Sequence, residues 1–242
     1  MNDADSPAEL PPPPFERSPR RDSKRRRDPL TQEAIVDAAM DVLDAEGLDG
    51  LSMRRIAEKL DTGAASLYWH VGSKDGLLDL IMDRVIGEQV VPDPDPGRWE
   101  EQLKDVMRTG RGTILRHRDI VRISIGRIPM GPNALRYMEG LLAILRAGGV
   151  PEQLAVVGST LMFSVVNGFT MDETGEGGDP PADQPPGDEA AVMVRDYMAA
   201  LPAQQFPNLR AVADHFAFAD QDERFELLID LFVDGLAKRA AG

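Results

Sequence analysis

The stretch TGAASLYWHVGSK, residues 62–74, gathers side chains that could contact a nucleic acid. It holds one of the 2 tryptophans, one of the 3 tyrosines and one of the 3 histidines in a chain of 242 residues. Small side chains would let a helix backbone approach a duplex, and alanine methyl groups can meet a thymine methyl. Hydroxyl and ring N–H groups can hydrogen-bond base edges or phosphates. The candidates for these roles are Ala64, Ala65, Ser66, Tyr68, Trp69 and His70.

Lys74 stands in the first turn of the next predicted helix, where the helix dipole disfavours a cation. A phosphate opposite the side chain would compensate that cost, because helix N-termini favour anions. The competing interpretation is that the aromatic run packs in a core and that Lys74 is merely exposed. We favour the core for Leu67 and Val71. We favour phosphate contacts for Tyr68, His70 and Lys74.

Helix signals around this stretch predict the elements that must position it. Thr31 can cap a first helix that ends at Gly47, since a threonine oxygen accepts an orphan N–H and glycine suits the C-terminal position. Ser52 opens a second short helix, a third runs from about 64 to 70, and Ser73 caps a longer fourth helix to about residue 89. Asp61 tolerates the left-handed conformation of the intervening turn. This succession contains the helix-turn-helix pattern.

The remainder of the chain predicts a second helical domain, residues 91–242. Its segment 152–171 is apolar nearly all round, which requires burial. The Gly-, Pro- and Asp-rich segment 175–189 predicts a flexible loop. The fold class is therefore all-α, with a helix-turn-helix domain over residues 29–90 and a C-terminal helical bundle. The other helices of the bundle are predicted over 98–117, 119–125, 132–147, 190–201 and 223–237.

Charge is distributed unevenly in this acidic chain, whose formal net charge is −14. Residues 1–28 are proline-rich and carry a basic block from Arg17 to Arg27, so we predict a disordered basic arm. A purely solubilising tail is the other interpretation. Residues 30–90 carry 5 basic and 12 acidic side chains, so the arm would supply much of any attraction to phosphates. Its candidate contacts are Arg25, Arg26 and Arg27.

Composition and motifs exclude several classes of protein. The chain has no cysteine, which excludes disulfides and thiolate metal sites and fits a reducing cytoplasm. It contains no glycine-rich phosphate loop, nucleophile elbow or histidine pair at ligand spacing. We therefore predict no enzymatic activity, no cofactor and no metal site, and we interpret His117-Arg118-Asp119 as a solvated helix boundary. No apolar run approaches the roughly 18 residues of a membrane span, so a cytoplasmic protein without membrane association is predicted.

Residues 30 to about 88 resemble the N-terminal domain of the TetR family of transcriptional repressors. The resemblance rests on GLSMRRIAEKL (50–60), SLYWHVGSK (66–74) and LLDLI (77–81), and LYWH is closest to the tetracycline repressor branch. The C-terminal half is similar to that branch less sharply, through LRHRDIVRISIGRIP (115–129). By this resemblance the DNA-contacting positions are Met53, Arg54, Ala64, Ala65, Ser66, Tyr68, Trp69, His70 and Lys74.

The resemblance implies a homodimer that binds a pseudo-palindromic double-stranded DNA operator and is released by a small-molecule effector. The helices 152–171 and 223–238 of two protomers would form the dimer interface. The effector pocket would lie inside the second domain, and its Met and Phe residues favour an apolar, adaptable lining. Core packing is the competing interpretation for the lining candidates, except that a lone amide needs a partner. These candidates are Met82, Val85, Met107, Leu135, Met138, Phe163, Asn167 and Phe169.

Two departures from the family pattern bear on these expectations. The turn has Asp61-Thr62 where the family usually has Gly-Val. At the positions aligned with the metal-binding histidines of the tetracycline repressor the chain has Ser124 and about Val90, which argues against a metal–tetracycline inducer. The alternative function is a helical binding or scaffolding protein that has lost DNA reading, and the altered turn and the acidic domain are its basis.

Overall fold

The computed structural model describes residues 30–175, 187–215 and 220–241, and these form helices joined by short turns. The predicted all-α fold is confirmed. A 3₁₀ turn at Ala213–His215 follows α10. The α-helices are α1 (Gln32–Gly50), α2 (Met53–Lys59), α3 (Ala64–Val71), α4 (Lys74–Ile86), α5 (Trp99–Leu115), α6 (Ile120–Ser124), α7 (Pro132–Ala147), α8 (Glu152–Thr174), α9 (Gly187–Ala200), α10 (Pro207–Ala211) and α11 (Gln221–Ala240).

Three hydroxyl side chains begin the helices of the N-terminal domain, as the sequence predicts. The side chains of Thr31, Ser52 and Ser73 each accept a hydrogen bond from the backbone N–H three residues ahead. Each therefore satisfies one of the donors that a helix start leaves unpaired. Such a cap contributes about 1 kcal/mol, and the three together fix where α1, α2 and α4 begin.

Two backbone positions with positive φ set the path of the N-terminal domain. Gly47 has φ 74 and ψ 178, which breaks the regular helix inside α1. A Cβ there would lie 2.6 Å from a carboxylate oxygen of Asp119, so glycine also permits close packing. Asp61 has φ 46 and occupies the turn between α2 and α3, as predicted for that residue. The turn is therefore formed despite the departure from the usual Gly-Val.

The C-terminal domain is built from long helices that share one apolar core. Helices α5, α7, α8 and α11 pack on each other, and α4 packs on both α1 and α7. Helix α9 packs against α10 and the 3₁₀ turn. The predicted loop 175–189 extends too far, because α9 begins at Gly187; residues 176–186 of that loop lie outside the described residues. The basic arm 1–28 also lies outside them.

Helix α8 is not buried on every side of the single chain, contrary to the requirement drawn from its composition. Val156, Val157 and Leu161 are exposed on it, and Leu227 and Leu231 are exposed on α11. Helix α8 is also long and apolar enough to cross a membrane by length and composition, with a mean hydropathy of 1.6 over its most apolar window. The sequence-based statement about apolar runs is therefore too strong. Core helices of soluble bundles have the same property, and α8 packs on α5, α6, α7 and α11.

Candidate nucleic-acid interface and ligand cavity

Helix α3 has one buried side and one side that faces outward. Leu67 and Val71 are buried in the core of the N-terminal domain, so the core interpretation of these two residues is confirmed. Tyr68 and Trp69 are large rings and yet remain 46% and 41% exposed. Burying an aromatic ring is favourable, so two neighbouring exposed rings on a helix of eight residues mark an interaction surface.

The other candidate residues fall into three groups. Ala65, Ser66 and Lys74 are exposed, whereas Ala64 and His70 are half-buried beside them. Arg54 is exposed on α2, but its Nε donates to Glu58 at 3.0 Å, so it must leave that partner to reach a phosphate. The basic residues Arg25, Arg26 and Arg27 lie outside the described residues.

Met53 does not belong to this surface. Its side chain is 6% exposed and packs in the hydrophobic core with Ile56 and Leu67. The prediction that Met53 contacts DNA is therefore wrong for its side chain. The family motif fixes the position of this residue at the start of α2, but the side chain turns inward because it closes the core beneath α3.

His70 is held in place by its neighbours. Its ring meets that of Trp69 edge to face, with the centroids 4.6 Å apart, and the Gln32 side chain donates to its carbonyl at 3.3 Å. Burial lowers the pKa of His70 below its ordinary value, so the imidazole is neutral at pH 7. It can therefore donate a hydrogen bond to a phosphate, but it adds no charge to the surface.

Lys74 supplies the positive charge at this end of the domain. It is exposed in the first turn of α4, and within the described ranges it has no carboxylate partner. Gly76, two residues on, lets α4 approach the end of α3, because a Cβ at this position would overlap the carbonyl oxygen of Val71. This close approach fixes the position of Lys74 relative to Tyr68 and Trp69.

Acidic side chains on α1 pair with cations away from α3. On α1, Asp41 pairs with Lys59 at 3.1 Å and Glu46 pairs with Arg55 at 2.6 Å. Segment 62–74 contains no acidic residue. The surface at α3 is therefore less negative than the net charge of the domain suggests. Nearby cations or the second domain neutralise most of the domain's carboxylates.

The second domain holds α1 through Asp119. This residue is buried with φ 59, and its carboxylate accepts from the Leu48 N–H at 2.8 Å and from Arg122 at 3.1 Å. Burial alone would raise the pKa of Asp119, but these donors outweigh it and lower the pKa. Arg122 also pairs with Asp49 at 3.2 Å. The segment interpreted as a solvated helix boundary is therefore a contact between the domains.

His117 joins the same contact from the end of α5. Its Nε2 lies 3.1 Å from Glu88, and its Nδ1 lies 3.5 Å from Asp44 on α1. Burial would raise the pKa of Glu88, but hydrogen bonds from His117 and Arg116 lower it overall. A single imidazole thus links a carboxylate from α1 and one that follows α4.

Helix α4 is bound to the second domain along its length. Arg127 donates to Asp75 at 2.8 Å and to Asp79 at 2.7 Å, next to Lys74. One turn further, the Asp83 carboxylate accepts from the N–H groups of residues 133 and 134 at 3.3 and 2.9 Å and so caps α7. Any movement of α7 relative to the DNA-facing end must therefore act on α4.

A cavity of about 200 Å³ opens between the end of α4 and α7. Among the described residues, its one charged lining side chain is Arg136, which is exposed and donates to the Asn133 side chain at 2.6 Å. The other lining residues are Ile86, Gly87, Gln89, Val91, Asn133 and Tyr137.

A second, inner cavity of about 20 Å³ lies among α5, α7 and α8. Gln89 and Tyr137 line both cavities, so the two spaces adjoin. Asn167 lines the inner cavity, and its amide makes no hydrogen bond to any described residue. Burial raises the pKa of Tyr137 above its ordinary range, so its phenol stays neutral and acts as a donor. The inner cavity is completed by Val106, Met107, Gly110, Ile114, Met162, Phe163 and Val166.

Three of the eight predicted lining residues reach a cavity: Met107, Phe163 and Asn167. The other five line neither of the two cavities, which corrects the prediction for this site. Met82 and Val85 are buried in the core, and Leu135 is exposed on the outside of α7. Phe169 instead stacks on Phe225 at 5.1 Å. Met138 is half-buried on α7 outside both linings.

The sequence did not predict the polar lining residues, because the lining candidates followed from the pattern of apolar side chains. Gln89 and Arg136 look like surface residues in the sequence. Tyr137 offered the better signal, since tyrosine is scarce in this chain and lies here on an amphipathic helix. The lining, predicted to be apolar, is therefore a mixture of polar and apolar side chains.

Comparison with known proteins agrees with this architecture. Residues 35–81 match the family described as bacterial regulatory proteins, tetR family, and residues 91–240 match the tetracyclin repressor-like C-terminal domain. The class is thus that of bacterial regulatory proteins with a helix-turn-helix domain. The chain belongs to the TetR family, as the sequence predicted.

Named relatives are similar over part or most of the chain. An HTH-type transcriptional regulator of Saccharopolyspora erythraea is 41% identical over 50% of this chain, and the repressor DrrR1 of Streptomyces coeruleorubidus is 38% identical over 57%. These matches span about half of each relative, 51% and 52%. The class A tetracycline repressor of Escherichia coli is 30% identical over 87% of this chain and 92% of its own length.

Solved structures of ActR from Streptomyces coelicolor are 43% identical to this chain. The apo structure has a TM-score of 0.80 and covers 89% of this chain and 99% of ActR. The complex of ActR with actinorhodin also has a TM-score of 0.80, with coverages of 88% and 100%.

The named relatives are transcriptional regulators and repressors, not enzymes. In the described ranges, no group of three or more His, Cys, Asp or Glu side chains is placed to hold a metal ion.

Proposed function

We propose that this protein is a ligand-responsive transcriptional repressor that binds a two-fold symmetric DNA operator as a homodimer in the cytoplasm. The observation that carries the proposal is the outward surface of α3, where Tyr68 and Trp69 stay exposed beside Ser66 and an unpaired Lys74. In a helix-turn-helix protein the second helix of the pair enters the major groove.

The homodimer is supported by the exposed apolar side chains of α8 and α11. Leu231 is 67% exposed and Val156 is 54% exposed on long helices that otherwise pack in the core. A second copy that covers this surface would bury both helices in a four-helix interface. A dimer also gives two α3 helices, which read half-sites roughly 34 Å apart.

The switch follows from the binding of α4 to both domains. A ligand in the cavity beside Gln89 would displace α7 or the end of α4, and Asp83 and Arg127 would transmit the movement to Lys74. The ligand needs a higher affinity for the released state than for the DNA-bound state, whatever its total affinity. Arg25, Arg26 and Arg27 in segment 1–28 would add attraction to phosphates in the minor groove.

The alternative of a scaffolding protein that no longer reads DNA loses its main support. It depended on an altered turn, and Asp61 adopts the left-handed conformation that this turn needs. It depended also on an acidic domain, most of whose carboxylates are paired, and segment 62–74 contains no acidic residue.

The test is selection of binding sites from a random duplex DNA pool with the full-length protein at moderate salt and without ligand. Enrichment of a two-fold symmetric site is expected, with two protomers per duplex. Failure of folded, dimeric protein to enrich any sequence would contradict the proposal. A matched variant, Trp69→Ala, should keep the fold, because the ring is exposed, and should lose the enrichment.

A further inference from the structure

We infer that the effector is a compact aromatic acid, whose anionic group pairs with Arg136 at the mouth of the cavity and whose far end meets Tyr137 and Asn167. This inference rests on the proposed function, because it names the ligand class for the same cavity. The ligand class follows from the charge of Arg136, the polar groups of the inner cavity that make no hydrogen bond within the described residues, and the volumes of the two adjoining cavities.

The charge at the mouth selects an anion. Of the residues that the structure describes, those that line the outer cavity include one cation, Arg136, and no carboxylate. Most arginines of the described ranges contact Asp or Glu, for example Arg108 with Glu226 at 2.7 Å and Arg127 with Asp79 at 2.7 Å. Arg136 contacts only the neutral Asn133 side chain. In a chain of net charge −14, an arginine left without a carboxylate beside a cavity fits a carboxylate brought by a ligand.

The inner end offers neutral hydrogen-bonding groups. The side chains of Gln89, Tyr137 and Asn167 make no hydrogen bonds within the part of the chain that the structure describes, although all three line the inner cavity. All three residues are half-buried, so their polar groups are free to bind a ligand that enters the cavity. The Tyr137 phenol can donate, and the two amides can donate or accept. A ligand hydroxyl or carbonyl would satisfy them.

The walls between the two ends favour a flat ring system. Val91, whose side chain lies within 2.9 Å of where a Cβ of Gly140 would be, and Tyr137 both line the outer cavity, and aliphatic and aromatic side chains both favour contact with an aromatic ring. The outer space of about 200 Å³ is smaller than the 300–1,000 Å³ typical of pockets for drug-sized ligands. One or two fused rings therefore fill the outer space. A ligand of this size that also reaches the inner groups must push α7 away from α4, because the inner space is only about 20 Å³, and this is the movement that the switch requires.

The experiment is a titration of the full-length protein with two probes that differ in charge but hardly in shape. These are 6-hydroxy-2-naphthoic acid and its primary amide, and binding is followed by calorimetry at pH 7. We expect the acid to bind about tenfold more tightly than the amide, the low end for a hydrogen bond to a charged group, since Arg136 is exposed. Arg136→Gln should remove this preference by weakening the acid alone.

Arg146→Gln is the matched control, because Arg146 is an exposed arginine on the same helix that lines neither cavity. It should leave both affinities unchanged. Tyr137→Phe, which removes only the phenol, should weaken both probes several-fold. The inference is overturned if the amide binds as well as the acid, if Arg136→Gln keeps the preference, or if neither probe binds.

Release of the selected DNA site is measured separately with the same probes. If the acid binds through Arg136 and the DNA stays bound at saturation, the ligand class stands and the proposed switch fails. If the acid and the amide release DNA equally well, the switch stands and the ligand class fails. The two outcomes are therefore distinguishable.

Discussion

Replacing Lys74 with glutamine should weaken DNA binding while leaving the fold as stable or more stable. The side chain is exposed, has no carboxylate partner within the described part, and stands where a cation opposes the dipole of α4. Removing such a cation stabilises a helix by about 0.3–1 kcal/mol. In a domain pair of this size that raises Tm by roughly 1–3 °C. If Lys74 had a purely structural role, its replacement would lower Tm instead of raising it.

The magnitude for DNA binding follows from counterion release. Each lost phosphate contact lowers the slope of log K against log salt by about 0.9, so the two copies in a dimer lower it by about 1.8. Between 50 and 200 mM salt, wild type should therefore lose roughly tenfold more affinity than the variant. The assay is fluorescence anisotropy with the selected duplex at four or more potassium chloride concentrations.

The matched control is Arg84→Gln, at the other end of the same helix. Arg84 lies 3.9 Å from Asp37, so its charge is largely engaged, and the salt slope should stay at the wild-type value. An unchanged slope for Lys74→Gln would refute the phosphate contact. A Tm several degrees lower would show instead that Lys74 supports the fold.

Three further outcomes are expected from thermal unfolding. Gly76→Ala should cost roughly 1–3 kcal/mol, because the new Cβ meets the Val71 carbonyl, whereas Gly112→Ala, which meets nothing within 4 Å, should be neutral or stabilising. Asp83→Asn should cost about 1–2 kcal/mol, since one amide oxygen cannot accept from both N–H groups that cap α7; an unchanged Tm would contradict the cap. The pKa of Asp119 is lowered despite burial by its donors, so its stabilisation is present above its ordinary pKa and is lost as pH falls toward the lowered one. Asp119→Asn should therefore flatten the acid limb of Tm against pH, and an equally steep limb would argue against this assignment.

Local signals in the sequence predicted most of the N-terminal domain. The caps at Thr31, Ser52 and Ser73 depend on the neighbouring three residues, so the sequence contains all the information that places them. Asp61 likewise carries its tolerance for positive φ in its own side chain. Leu67 and Val71 follow from helical periodicity, which separates the buried side of α3 from the exposed one.

Features that depend on contacts between residues far apart in the sequence could not be predicted from local signals. Met53 matched a motif position, yet whether a side chain at the first turn of α2 points inward depends on α3 above it. Asp83 looks like an ordinary solvated acid until α7 begins beside it, 50 residues later. The sequence predicted a cavity in the second domain, but five of the eight predicted lining residues line neither cavity. Helical periodicity identifies positions that the core fills, whereas a ligand cavity is lined by positions that the core leaves unfilled.

The carboxylates of α1 and α4 have a consequence for how separable the two domains are. Asp49, Asp75, Asp79 and Glu88 find their positive partners across the domain boundary, on Arg122, Arg127, Arg116 and His117. Cutting the chain near residue 90 would leave these four acids bare on a fragment, residues 1–90, that carries 12 basic and 18 acidic side chains. Such a fragment would repel the polyanion that the intact chain attracts. The DNA-binding domain is therefore not separable from the second domain without loss. A fusion of this domain to another effector domain would need cations at the same positions on the new partner domain.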